Sequence, residues 1–323
     1  MYVGSTDSRV DPNQWIPTFK HRSVSMVRCD SFMPSLGQEG LVSHPALVKV
    51  FDEILVNAAD NYQRDPKTTR TLSITLFPGS EASPPLISVA NDGPTIPVVM
   101  HKDEGMYVQQ MLFGHLLTGS NFDDKNTKST IGGRHGYGAK LSNIFSDWFE
   151  VECNDTENDL NYVQRWENNM GTVNNHKIVP CSETRLVEEE NPLAALFDAD
   201  KPYTRVTFQP SLRALRVKGS VIPFGDYMAM CRRVVDVAGT TGFKGVYLNG
   251  EKIDVGGFKG YCSLFGSMVP PIYQKVNKRW EIAVAPCSEG GGQHSFVNNL
   301  TTLRGGTHLN HVTMQLAKAI QER

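Results

Sequence analysis

Glu53 and Asn57 stand one helical turn apart in FDEILVNAADNYQR, so on a helix a carboxylate and an amide address neighbouring points of one ligand. That pairing suits hydrolysis assisted by magnesium. The Asn57 amide oxygen can join an octahedral Mg2+ whose other ligands are phosphate and water oxygens, leaving Glu53 to orient or deprotonate the attacking water. The same residues also fit an ordinary solvated helix face. A second candidate is Ile131 to Ser142, IGGRHGYGAKLS, where glycines, Arg134 and Lys140 crowd together where a helix can begin. Backbone N–H groups at a helix start lack partners within the helix, and glycines let an anion approach without a Cβ in the way. The segment therefore reads either as a phosphate loop or as a glycine-rich surface turn. A third is Asn91-Asp92-Gly93, at the end of a strand pattern. The Asn91 amide offers the donor and acceptor that an adenine edge needs, although a plain hairpin turn uses the same residues.

Two common phosphate loops are excluded. A Walker-type loop needs G-x-x-x-x-G-K-[ST] directly after a buried strand, whereas here Lys140 follows Gly138-Ala139 and the preceding stretch is polar. The dinucleotide fingerprint fails as well, because Gly136-Tyr137-Gly138 is followed by Ala139-Lys140-Leu141 with no third glycine.

The elements that must position these residues are legible as periodicities. Phe51, Leu55, Ala58 and Tyr62 recur at helical spacing, with Glu53, Asn57, Asp60 and Arg64 on the opposite side. Leu72, Ile74 and Leu76 alternate with threonine and serine as in a half-buried strand, and LISVAN predicts the next strand, leading into NDGPTIP. Met106 to Leu117 predicts a helix. TGSNFDDKNTKST then reads as a long polar lid, and the glycine segment opens a helix through about Phe145. WFEVEC, YVQRW, TRVTFQP and GVYLNGEKI predict strands, and Tyr227 to Ala238 a helix, so the whole reads as a sheet covered by helices. Residues 1–41, rich in turn formers, are expected to wrap around this core, with regular structure starting near His44. After Phe258 a new set begins: RWEIAVAP and HSFVNNL as strands, then a helix carrying Leu309, Val312, Leu316 and Ile320. This places a domain boundary between 1–258 and 259–323.

The 323 residues, 40% hydrophobic and 20% charged, suffice for one large domain or two ordinary ones, and a formal net charge of -2 lacks the basic footprint of a stand-alone nucleic-acid binder. Arg213, Arg216, Lys218, Arg232 and Arg233 form a modest basic concentration that either lines a passage for a duplex or is an ordinary solvated face. The six cysteines contain no CxxC pair, which indicates neither a zinc site nor a disulfide framework and suits reduced intracellular thiols. No apolar run approaches a membrane span and Met1 opens no signal-peptide pattern, so a soluble protein without membrane contact is expected.

Taken together, FDEILVNAADNYQRDP, SVANDGPTIPV, LLTGSNFDD and GGRHGYGAKLSNIFS resemble, in order and spacing, the ATPase region of the eukaryotic type IIA DNA topoisomerases. The resemblance runs from Tyr2-Val3-Gly4-Ser5 through KRWEIAV and SFVNNLTTLRGG. It implies membership of the wider ATPase group shared by gyrase, heat-shock chaperones, mismatch-repair MutL and histidine kinases. The fold implied is α+β: a two-layer α/β sandwich of the Bergerat type, with helices over one face of a mixed sheet. The start of a transducer domain resembling the second domain of ribosomal protein S5 follows it. By the same resemblance Glu53 matches the general base, Asn57 the magnesium ligand and Asn91 the adenine-side residue. Gly119, Ser120 and Asn121 fall on nucleotide-contacting positions, and Gly133, Arg134, His135, Gly136, Tyr137, Gly138, Ala139 and Lys140 match the loop around the triphosphate. Tyr2 occupies the segment that reaches across a dimer.

The resemblance implies ATP and Mg2+ as cofactors and, in the intact enzyme, double-stranded DNA and a second copy of the chain as partners. A nuclear protein, or a mitochondrial form, is expected. Three departures stand out: His135 where many members have asparagine, Gly119 where many have serine, and Thr95 where the turn often has a second glycine. A histidine can still donate to a phosphate oxygen, with a charge that depends on pH near neutrality. The family's Gln-x-Lys transducer loop and its DNA-cleavage modules are not found in these residues, so the chain is expected to be an ATPase fragment with weak turnover by itself. An ATP-binding clamp module with little hydrolysis, or a chaperone or repair clamp of the wider group, remain as alternatives.

Overall fold

The structure, a computed structural model, describes residues 5–11, 15–20, 23–28, 41–115, 137–183, 199–265, 269–286 and 292–322. Regular structure begins earlier than the sequence suggests. β1 (Arg9–Asp11) is followed by a hairpin of β2 (Trp15–Lys20) and β3 (Ser23–Arg28), and β4 (Leu41–Ser43) pairs antiparallel with β1. Their apolar pattern is too short to read alone. Ile16 is fully buried against Met228, so a partner far along the chain settles this hairpin.

Helix α1 (Pro45–Arg64) starts ahead of the Phe51 that its periodicity marks, because Pro45 fits the first helical turn and His44 caps it in an extended conformation. The backbone N–H and ring Nδ1 of His44 both meet the Asp226 carboxylate, at 2.5 and 2.7 Å. After α1 come β5 (Thr71–Phe77), β6 (Leu86–Asp92), α2 (Val108–Gly114), α3 (Gly138–Ile144), β7 (Ser146–Asp155), β8 (Leu160–Glu167), β9 (Thr172–Val173) and β10 (Lys177–Val179). Then follow β11 (Tyr203–Pro210), α4 (Phe224–Thr240), β12 (Gly245–Leu248), β13 (Glu251–Lys252) and α5 (Gly257–Cys262).

These strands form one mixed sheet in the order β10-β8-β7-β11-β6-β5-β12-β13, with β9 added against β8. Neighbours are antiparallel except β5 and β12, which run parallel. Helix α1 packs against both α3 and α4, and all three lie on the sheet, giving the two-layer α/β arrangement. Their shared core holds Leu47, Phe51, Leu55, Phe149, Phe208 and Val234, all fully buried. Each such side chain contributes roughly 1.5–3 kcal/mol relative to exposure.

The remaining elements are β14 (Ile272–Lys275), β15 (Glu281–Val284), β16 (Phe296–Val297), β17 (Leu300–Thr301) and α6 (Thr307–Gln321). HSFVNNL, read as one strand, is a hairpin: Asn298 and Asn299 take left-handed φ of 51° and 63° and turn the chain between β16 and β17. Paired asparagines tolerate that geometry, which two-residue hairpin turns need. Residues on both sides of Phe258 belong to α5, and Tyr261 on that helix is 1% exposed within the main core. Among the described residues no helix is long and apolar enough to cross a membrane.

Candidate functional site

The polar stripe of α1 carries Glu53, Asn57 and Asn61 at successive turns. Lys49, one turn before Glu53, places its Nζ 2.6 Å from Glu53 Oε1. Asn57 is exposed, whereas Asn61 donates from Nδ2 to the Pro94 carbonyl at 2.9 Å and so ties the helix to the NDGP turn. Asp60, expected on the solvated side, is 1% exposed. The stripe is thus not solvated along its whole length: Asn61 beside it is tied to the turn after β6, while Arg64 at its end is exposed.

Asn91, near the end of β6, is 5% exposed and lies opposite Leu72 of β5 and Thr204 of β11. Its Nδ2 donates to the Asp92 carbonyl at 2.9 Å. Asp92 Oδ1 accepts from the backbone N–H groups of Arg70 and Thr71 at 2.6 and 2.7 Å, which fixes the turn against the start of β5. Gly93 has φ 90°, and a Cβ there would drive into Thr69. The hydroxyls of Thr95 and Thr204 share a hydrogen bond of 2.8 Å beside this turn. Thr204 was not among the residues singled out by sequence. The alternation in TRVTFQP gives its strand, but only the register brings it opposite Asn91. Beneath it burial pushes the Cys153 thiol up to about 12, against the opposing hydroxyls of Thr95 and Thr204, so the thiol stays protonated.

The third segment meets the first directly. Gly138, the first residue of α3, packs its Cα against the Glu53 carboxylate, and any Cβ at this position would collide with it. Ser142 Oγ donates to the Val50 carbonyl at 2.7 Å and Asn143 Nδ2 to the Phe113 carbonyl at 3.0 Å, so α3 is fastened between α1 and α2. Tyr137, Gly138 and Ala139 are half-buried; Lys140 is 1% exposed, and burial lowers its amine to about 8. Gly119, Ser120, Asn121, Gly133, Arg134, His135 and Gly136 lie outside the described residues, as does the TGSNFDDKNTKST segment.

The basic concentration divides in two. Arg213, Arg216 and Lys218 are exposed, but Arg232 and Arg233 turn inward to Asp236, with Nε of Arg232 2.7 Å from Asp236 Oδ1 and Nε of Arg233 2.8 Å from Asp52 Oδ1. Burial works against both charges, yet these carboxylates outweigh it and raise both guanidinium groups above their ordinary range. The last two arginines therefore form no solvent-facing patch.

No protein-family profile matches the chain. DNA topoisomerase 2 of Drosophila melanogaster is 38% identical over 319 residues, which is 96% of this chain and 20% of that protein. The solved ATPase region of Saccharomyces cerevisiae topoisomerase II is similar with a TM-score of 0.83 at 37% identity, covering 99% of this chain and 76% of that one. The ATPase and transducer domains of DNA topoisomerase II from Balamuthia mandrillaris give 0.82 at 41%, over 99% and 73%. The two-layer sheet and helices are thus those of a topoisomerase ATPase region. The chain belongs to the DNA topoisomerase II family. It spans about a fifth of the length of the curated relatives it matches, and the chaperone and repair-clamp readings fall away.

Proposed function

We propose that this chain binds Mg-ATP and hydrolyses it, and that in the intact protein it closes and reopens a dimeric clamp that passes one DNA duplex through another. The observation that carries the reading is the contact of the Glu53 carboxylate with Gly138, which sets a potential base beside the glycine segment. In this reading Glu53 orients and deprotonates the attacking water. Asn91 and, opposite it, Thr204 line the adenine end. Gly133 through Lys140 wrap the triphosphate, and Gly119, Ser120 and Asn121 add contacts from the preceding segment.

Magnesium fits the donors present. Among the described residues no group of three or more His, Cys, Asp or Glu can hold a metal, but the exposed Asn57 amide suits an ion whose other ligands are phosphate and water oxygens. The chemistry such an ion supplies is charge neutralisation on those phosphate oxygens. A second copy of the chain, a nuclear location, and a division into an ATP-binding part (1–258) and a partial transducer (259–323) belong to the same proposal.

Glu53→Gln in the intact protein tests it. Phosphate release slows by roughly 10²–10⁴-fold, about 3–5 kcal/mol of barrier, while nucleotide still binds. Wild-type turnover in that variant removes the base assignment.

A further inference from the structure

Behind the site, one guanidinium joins three segments that are distant in sequence. Arg233 lies on α4 and is 8% exposed. Its Nε donates to Asp52 Oδ1 on α1 at 2.8 Å, and its Nη1 donates to Asp236 Oδ2 at 3.1 Å. Toward the C-terminal hairpin, Nη1 donates to Thr301 Oγ1 at 2.7 Å and Nη2 to the Asn299 carbonyl at 3.1 Å. Arg232 closes the cluster, donating to Asp236 Oδ1 and, at 3.0 Å, to the Tyr261 hydroxyl, which itself donates to Asp236 at 2.7 Å. Two arginines and two aspartates leave no net charge inside.

Asp52 immediately precedes Glu53 on α1. The two side chains leave the helix about 100° apart, so a bond that holds Asp52 also sets the direction of Glu53. Arg233 grips one flank of this helix, and Gly138 limits the carboxylate on the other. A buried ionic cluster is weak evidence of stability alone, since well-packed apolar residues often serve as well; its better-attested use is to fix registry. A planar fork meets its partners in few orientations. Movement of the Asn299–Thr301 segment therefore passes to Asp52 instead of being absorbed by soft packing.

We propose that Arg233 is a positioning residue for ATP hydrolysis: through Asp52 it sets the rotation of α1 and the aim of Glu53, and through Thr301 and Asn299 it makes that aim depend on the β16–β17 hairpin. The proposal rests on the assignment of Glu53 as base. Three variants of the intact protein test it: Arg233→Lys, Asp52→Asn and Thr301→Val. The last removes one hydroxyl and no charge.

Nucleotide Kd stays within about threefold in all three, while kcat falls by about 10- to 100-fold in Arg233→Lys and Asp52→Asn and by about fivefold in Thr301→Val, as expected of a misaimed reacting group. Thr301→Val adds nothing further in the Arg233→Lys background, because the shared bond is already lost. Wild-type kcat in Thr301→Val overturns the proposal, as does a loss of kcat matched by equal loss of nucleotide binding. If Arg233→Lys does not fold, Thr301→Val decides alone. The two assignments separate cleanly. Normal turnover in Glu53→Gln removes the base itself, whereas a dead Glu53→Gln beside a fully active Thr301→Val removes only the link.

Discussion

The Glu53 carboxylate rests against the Cα of Gly138, and no side-chain carbon fits between them. Two segments far apart in sequence, on α1 and at the start of α3, thereby meet at a single close approach. The obstruction to a Cβ is the end of a flexible side chain, not backbone, so Gly138→Ala relieves it by moving the carboxylate. We expect unfolding free energy to stay within about 1 kcal/mol of wild type while kcat falls by about 10- to 1,000-fold. Phosphate-release kinetics beside a urea titration check this. Turnover that is untouched contradicts the close approach, and a fold that collapses contradicts the yielding of the Glu53 side chain.

Gly93 differs because its neighbour cannot yield so easily. A Cβ there meets the Thr69 backbone as well as its side chain, and φ is 90°. Gly93→Ala should therefore destabilise the protein by about 2–4 kcal/mol, combining left-handed strain with overpacking. It should also raise KM for ATP more than it lowers kcat, since the turn adjoins Asn91 and not Glu53. Denaturation and steady-state kinetics measure the two effects separately, and a selective loss of kcat would contradict the division of the site.

The helical spacing of Phe51, Leu55, Ala58 and Tyr62 is enough to place Glu53 and Asn57 on one stripe, and the two adjacent strand patterns that lead into NDGPTIP locate the turn at Gly93. These are local regularities. What escaped the sequence depends on partners far along the chain. Asn61 is tied to the Pro94 carbonyl 33 residues on, and Arg233 leaves the surface because Asp52 waits 181 residues away. Thr204 joins Asn91 only through strand register, which periodicity does not specify.

Lys140 gives the site a proton linkage. Burial lowers its amine from 10.5 to about 8, so between those values the folded protein sheds a proton that the unfolded chain keeps. Stability from this group thus rises with pH across that window. Lys140→Met should raise stability near pH 7 by about 1–3 kcal/mol and flatten the slope above pH 8. Triphosphate oxygens favour the charged amine, so ATP binding near pH 9 should take up protons, and Lys140→Met should abolish the uptake. Calorimetry in two buffers of different ionisation enthalpy reads the protons directly. Equal uptake in the variant would assign them to another group.

Asp236 supplies the opposite sign. Burial alone would push its carboxyl up, but Arg232 and Arg233 outweigh burial and hold it below the ordinary carboxylate range, aided by the Tyr261 hydroxyl. A depressed carboxylate contributes stability that is fully present above its unfolded value, about pH 4, and is lost as pH falls through the folded one. Asp236→Asn leaves two buried guanidinium groups short of a counter-charge, which should cost about 3–5 kcal/mol at pH 7. The difference from wild type should narrow as pH falls below about 4, where the unfolded carboxylate takes up a proton that the folded one, held ionised by the two arginines, does not. It should also change little with added salt, because a buried cluster is poorly screened. Urea titrations at pH 7 and pH 3 in low and high salt test all three statements. A gap that stays constant with pH would mean that Asp236 matters for its shape and hydrogen bonds, not its charge.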